Sequence, residues 1–323
     1  MTKAGRVIGA LTLATAMLSP AAIAECRIQQ IAEIKVRIEN SRPLIEGEIN
    51  GKSVLMLADT GAQSSTIVRS KSNELGLKPL AVPGMRFQGV GGGSAASFVT
   101  VDKVSFGGMA SGGFKMFVTG EGEVDADPNA PAAVIGADFL GQADVEFDLP
   151  NKIIRLLRIS GCSEGQAVYW NKPYAVTPLA GVLKGAQFEV DVAINGKTVR
   201  ALLDSGAVRS VLTVEGAATA GIEAQSAAGP QFHGLGGLTG QANLAQLDSF
   251  AIDTEVVRNA QLPVADLFGA NKKVTLGSWA PRYQMDFPEM LLGGDFFLSH
   301  RILVARSEKR VYLTYSGGPI FVR

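Results

Sequence analysis

Histidine and cysteine are almost missing from this chain, with two of each in 323 residues. His233 and His300 are too few to supply both a serine-type triad and a metal site, and no His/Cys group has zinc-ligand spacing. Net charge is missing as well. Thirty basic residues balance 30 acidic ones without a long run of either sign, which argues against a nucleic-acid or anionic-membrane surface. Long hydrophobic runs are scarce: the stretch Val7 to Leu18 is too short to span a bilayer comfortably, and no later segment reads as a membrane span. Aromatic residues make up only 7%, whereas glycine is abundant at 38 residues, a composition that suits β-structure with many turns.

The N-terminus carries Lys3 and Arg6, then the apolar stretch, then Ala22-Ile23-Ala24 before Glu25. This order predicts a secretory signal peptide over residues 1–24 and a mature chain in the periplasm or outside the cell. Glu25 ahead of Cys26 fits a lipoprotein cleavage site poorly, because a small residue is expected there. About 299 residues remain (323 − 24), enough for two domains with cores of their own. In an oxidising compartment the pair Cys26 and Cys162 invites a disulfide between the start of the first half and the linker that closes it. Two unpaired thiols are the alternative.

The mature chain is written twice. Ile49-Asn50-Gly51-Lys52-Ser53-Val54 matches Ile194-Asn195-Gly196-Lys197-Thr198-Val199 at an offset of 145 (194 − 49). Phe87-Gln88-Gly89-Val90-Gly91-Gly92 matches Phe232-His233-Gly234-Leu235-Gly236-Gly237 at the same offset. Later, Val134-Ile135-Gly136-Ala137-Asp138-Phe139 matches Leu291-Leu292-Gly293-Gly294-Asp295-Phe296 at an offset of 157 (291 − 134), so the second copy holds about 12 more residues in between. A period this long marks a duplicated domain and not a solenoid, whose repeats run to roughly 20–50 residues. Period-two segments such as Ile34–Ile38, and the hairpin turns Asn50-Gly51 and Asn195-Gly196, make both copies β-rich. A short helix is expected at 69–75, stopped by Gly76.

Each copy carries an apolar run that ends on a carboxylate: Leu55-Met56-Leu57-Ala58-Asp59-Thr60-Gly61-Ala62, and Ala201-Leu202-Leu203-Asp204-Ser205-Gly206-Ala207. A lone ionised carboxylate is costly to bury, so it shifts its pKa or finds partners. One Asp-Thr-Gly is a common turn. Two in equivalent settings suggest half-sites that face each other and share a proton.

With these motifs the chain resembles the retropepsin-like branch of the aspartic proteases, with both halves fused in one polypeptide. The resemblance implies an all-β fold of two homologous acid-protease lobes, 25–160 and 168–323, joined by a linker at 161–167, with the active site at their interface. It implies Asp59 and Asp204 as the catalytic pair of an endopeptidase acting on peptides or proteins without a cofactor or metal. Thr60 and Ser205 would then bond across to the opposite loop. Gly61 and Gly206 would allow the sharp turn, with Ala62 and Ala207 beside them, and Gly136 and Gly293 would let a strand pass under each loop. The internal repeat would stand in for a dimer, leaving a monomer with an internal pseudo-dimer.

The glycine-rich stretches Gly89-Val90-Gly91-Gly92 and His233-Gly234-Leu235-Gly236 invite comparison with a phosphate loop. The dinucleotide pattern fails, since Ser94 and Thr239 stand where the third glycine belongs. Hairpin tips explain the glycines better, and by resemblance they would be two flaps over substrate; ordinary flexible hairpins are the alternative. Gly161-Cys162-Ser163-Glu164-Gly165 formally fits the serine-hydrolase elbow but lacks its strand-turn-helix setting. Retroviral enzymes place acidic residues after the Ala, where this chain has Gln63-Ser64 and Val208-Arg209, so subsite preference does not carry over. A non-catalytic peptide-binding member of the same fold also stays open.

Overall fold

The computed structural model describes residues 25–89, 92–120, 130–180, 188–223, 225–233, 239–268 and 287–321. The signal-peptide segment 1–24 and the extra stretch of the second copy around 269–286 lie outside the described residues.

Both halves follow one plan of short strands, because alternating residues give each strand one buried face. In Arg27–Glu39 the inward positions are Ala32, Ile34 and Val36. The hairpin turns form where expected: Asn50 and Gly51 take φ of 51° and 77°, and Asn195 and Gly196 take 49° and 75°, left-handed values that Asn and Gly accept at low cost. They feed the two central strands, Lys52–Ala58 and Lys197–Leu203. Each central strand runs parallel to a short late strand, with Ala58 opposite Ile135 and Leu203 opposite Leu292. The expected short helix forms as Arg69–Glu74, and its repeat as Val214–Thr219.

The halves are joined by a sheet that neither could complete alone. The joining part of this 13-stranded sheet is six strands in the order Ala175–Pro178, Arg310–Tyr315, His300–Ala305, Asp144–Asp148, Ile153–Ser160 and Arg27–Glu39. The seam is the antiparallel pair of His300–Ala305 with Asp144–Asp148, where Val304 faces Val145 and Arg301 faces Asp148. Phe147 and Phe297 meet across it edge to face, with ring centroids 5.2 Å apart. One continuous core therefore runs through both halves, from Val99 and Ile135 to Leu247 and Leu292.

A buried ionic group also crosses this seam. Glu146 is fully buried and accepts from Arg155 at 2.5 Å and from Arg301 at 3.0 Å to each carboxylate oxygen. Tyr169, beyond the linker, donates to the same carboxylate at 2.5 Å. Burial, and then the Glu146 bond, push its hydroxyl up to about 12, so it remains a donor at working pH. Arg301 lies over the Trp170 ring at 4.2 Å. Both halves thus meet on one carboxylate. Cys26 and Cys162 are disulfide-bonded, tying the start of the first strand to the turn after Ile153–Ser160. Among the described residues no helix is long and apolar enough to cross a membrane.

Candidate active site

The central strands deliver Asp59 and Asp204 to the junction of the halves. Each Asp amide still bonds to the neighbouring late strand, Asp59 to the Ile135 carbonyl at 3.0 Å and Asp204 to that of Leu292 at 2.8 Å. The chain then turns back on itself, and the carboxylate caps the turn. Asp59 Oδ1 accepts from the amides of Gly61 (2.8 Å) and Ala62 (3.0 Å). Asp204 Oδ1 accepts from Gly206 and Ala207, both at 3.0 Å. One oxygen of each carboxyl is thereby committed to its own loop.

The two loops are clasped together by their hydroxyls. Thr60 Oγ1 donates to the Leu203 carbonyl at 2.5 Å, and Ser205 Oγ donates to that of Ala58 at 2.8 Å. Each hydroxyl also accepts from the other's amide, at 3.1 Å from Thr60 and 3.0 Å from Ser205. Both side chains are buried, so these are satisfied interior bonds whose loss would leave orphaned donors and carbonyls. The glycines are required by contact. A Cβ on Gly61 would lie 2.4 Å from Asp204 Cγ, and one on Gly206 would lie 2.2 Å from Asp59 Cγ. Beneath the loops, a Cβ on Gly136 would meet the Ala62 carbonyl oxygen at 2.7 Å, and one on Gly293 would meet the Arg209 backbone at 2.3 Å.

A further layer holds each loop from below, with residues to which the sequence reading assigned no role. Ser65 donates through Oγ to Asp138 (2.6 Å) and through its amide to the same carboxylate (2.9 Å), while accepting from Gly136 N at 2.9 Å. Ser210 repeats this with Asp295 at 2.7 and 2.8 Å and with Gly293 N at 3.0 Å. The available signal was their recurrence: both aspartates follow the late glycine by two residues in each copy.

Electrostatically the two carboxyls form one unit. Each packs against the glycine of the opposite loop, deep among protein atoms, although each keeps an open edge. Burial raises the affinity of both for protons. For Asp204 the neighbouring charge of Asp59 adds to burial and pushes it well above the usual carboxylate range. For Asp59 burial is opposed by the Ala62 and Gly61 amides, by Asp204 and by the Arg42 cation, so it rises less. The pair therefore keeps a proton to higher pH than isolated aspartates would. Such a pair can take a proton from one molecule and give one to another.

The other candidate positions fall elsewhere. Gly89 stands opposite Gly92 at the end of a hairpin, and His233 stands opposite Thr239 at the end of its counterpart. Val90, Gly91, Gly234, Leu235, Gly236 and the His233 side chain lie outside the described residues. A strand does precede Gly161, but Cys162 is in the disulfide and turns follow instead of the helix that a nucleophile elbow needs. His300 is buried with both ring nitrogens occupied, by Glu255 at 2.6 Å and the Phe296 carbonyl at 2.7 Å. Among the described residues no group of three His, Cys, Asp or Glu could hold a metal ion.

A family model described as Aspartyl protease matches the chain twice, over residues 45–139 and 190–296. Each stretch contains one of the two carboxylate loops. Comparison with curated proteins finds no match. Among solved structures, a retropepsin-like aspartic protease from Rickettsia conorii is similar at 19% identity with a TM-score of 0.30, over 42% of this chain and 95% of that one.

Proposed function

This chain belongs to the aspartyl protease family, with the family's unit present twice, and we propose that it is an exported endopeptidase whose catalytic pair is Asp59 and Asp204. The observation that carries the proposal is the arrangement of the carboxyls: each against the glycine of the opposite loop, each with one oxygen held by its own loop amides, and the loops clasped by Thr60 and Ser205. Paired carboxyls of this kind are the reference case for a shared proton. The ionised member takes a proton from a water molecule as the water attacks the peptide carbonyl, and the protonated member donates to the carbonyl oxygen. The gem-diol that results collapses as a proton passes to the leaving amine. No metal and no covalent intermediate enters these steps.

Residues 1–24 act as a cleaved signal peptide, and the disulfide suits an oxidising compartment. Residues 25–160 and 168–323 are the two lobes, with 161–167 as linker, and the mature chain works as a monomer that is its own pseudo-dimer. Peptides or proteins are the substrates, and the glycine-rich hairpins ending near Gly89 and His233 are the flaps. Ala62 and Ala207 offer no hydroxyl to favour an ionised carboxylate, so the pair keeps its proton to higher pH than it would beside Ser or Thr. The test is cleavage of a peptide library by the mature chain, with and without pepstatin and beside Asp59→Asn and Asp204→Asn. Inhibitor-sensitive cleavage lost in both variants supports the reading. Peptide binding without cleavage would replace it with a non-catalytic member of the fold.

A further inference from the structure

The two half-sites are near copies in their hydrogen bonds, yet among the described residues one cation breaks the symmetry. Strand Arg42–Ile49 lies antiparallel to Lys52–Ala58 with Ile45 opposite Met56 and Leu44 opposite Leu57. Continued by two residues, this register sets Arg42 across from Asp59, and residues opposite each other on antiparallel strands share a face. The turn just before Arg42 is anchored against the other half: the Ser41 carbonyl oxygen packs so closely on Gly294 that a Cβ there would lie 2.1 Å from it. Asn40 and Ser41 are both left-handed, with φ of 46° and 61°, so the approach of Arg42 to the junction is set by backbone. The Arg42 side chain is half-buried, its Nε is buried without a hydrogen-bond partner among the described residues, and its charge acts on Asp59. In the sequence repeat the position of Arg42 is taken by the neutral Gln187 (42 + 145).

We propose that Arg42 polarises the carboxyl pair, holding the resting negative charge on Asp59 and leaving the shared proton on Asp204. This rests on the protease reading above and assigns its roles: Asp59 takes the proton from water, and Asp204 gives one to the substrate carbonyl. Arg42 acts through Asp59 and is a positioning residue. Among the described residues, the charged groups that face Asp59 are Asp204 from the opposite loop and Arg42 from the adjacent strand, beside the Gly61 and Ala62 amides. The amides have counterparts at Asp204, so they do not distinguish the two. Arg42 does.

The experiment compares wild type, Arg42→Gln and Arg42→Lys in kcat/KM against pH, with melting temperatures to confirm folding. Without the cation the acid limb should move to higher pH, so that at a fixed pH on that limb the rate falls about 3–10-fold, a figure kept modest because Arg42 is partly solvated. Lys should restore most of the profile. A second measurement needs no activity: carbon NMR titration of labelled Asp in Asp204→Asn and Asp59→Asn, each with and without Arg42→Gln. Asp59 should titrate at higher pH once Arg42 is lost, and Asp204 should move much less. Equal shifts at both carboxyls, or none, would overturn the proposal. So would an unmoved pH profile accompanied by altered discrimination between acidic and neutral peptides, which would make Arg42 a substrate contact. A wild-type chain that cleaves nothing sinks the protease reading alone, because the titrations still decide the polarity.

Discussion

The first half of the molecule and the second agree where geometry is needed and differ where chemistry is selected. Their loop amides hold Asp59 and Asp204 at distances between 2.8 and 3.0 Å, their hydroxyls trade places in one clasp, and Ser65-Asp138 matches Ser210-Asp295. Yet Gln63-Ser64 corresponds to Val208-Arg209 in the sequence repeat, and Arg42 to Gln187. A hydrogen-bonded loop buried at an interface tolerates few residue types, since any change orphans a donor or carbonyl. A residue at the open edge of the same loop, such as Val208, meets mostly solvent and is free to diverge. The duplicated parts build the pair; the unduplicated ones give it a direction.

Removing either carboxyl tests the symmetric part most severely. Asp59→Asn and Asp204→Asn should each lower kcat by several orders of magnitude, since general acid and general base each contribute roughly 10²–10⁴-fold. The double variant should be little worse than either single one, because residues acting as a unit are not additive. Steady-state rates on one peptide check this; a variant retaining a tenth of wild-type activity would show that the halves are not equal partners.

The staple is the sharpest asymmetry in stability. Only the first half carries the Cys26–Cys162 bond, which closes a loop of 136 residues, so chain entropy puts its contribution at about 5 kcal/mol at most. Denaturant midpoints of the oxidised protein and of a Cys26→Ser/Cys162→Ser variant measure it. Equal midpoints would mean that the shared sheet alone holds the strand.

The clasp should be symmetric but weaker. Thr60→Val and Ser205→Ala each strip one buried carbonyl and one buried amide of a partner, at about 1–3 kcal/mol per orphaned group. The double variant should cost less than the sum of the two, since the two hydroxyls lie 3.4 Å apart in one network and each single loss already loosens the other's bonds. Additive losses in a double-mutant cycle would show that each half holds its loop independently.

The smallest effect is on the pH dependence of stability, and it is lopsided. Folding raises the proton affinity of Asp204 well above its unfolded value, so the native state binds more protons between the two. That stability is present below the unfolded value and fades as pH rises through the native one. Asp204→Asn cannot titrate and should lose less stability over that window than wild type; Asp59→Asn should show a smaller change. Melting temperatures across acid to neutral pH decide it, and parallel curves for all three proteins would contradict the assignment.

The chain by itself determined the strands, the turns and the pairing of the two aspartates, because each depends on neighbours in sequence or on a repeated block. Asn-Gly dictates a hairpin whatever surrounds it, and Asp59 and Asp204 announce one another through matching apolar runs. Tertiary structure alone decided what joins residues far apart in the chain. Glu146 collects Arg155, Arg301 and Tyr169 from both halves, and nothing in the sequence near any of the four marks the others. Ser65 and Asp138 are common residues 73 positions apart, and only a strand passing beneath the loop makes them partners. Arg42 looks like a surface cation until the register of its strand, continued two residues past Leu44 and Leu57, sets it across from Asp59. The physical reason is common to all three: Coulomb and hydrogen-bond energies depend on distance through space, and the fold is what turns separation along the chain into that distance.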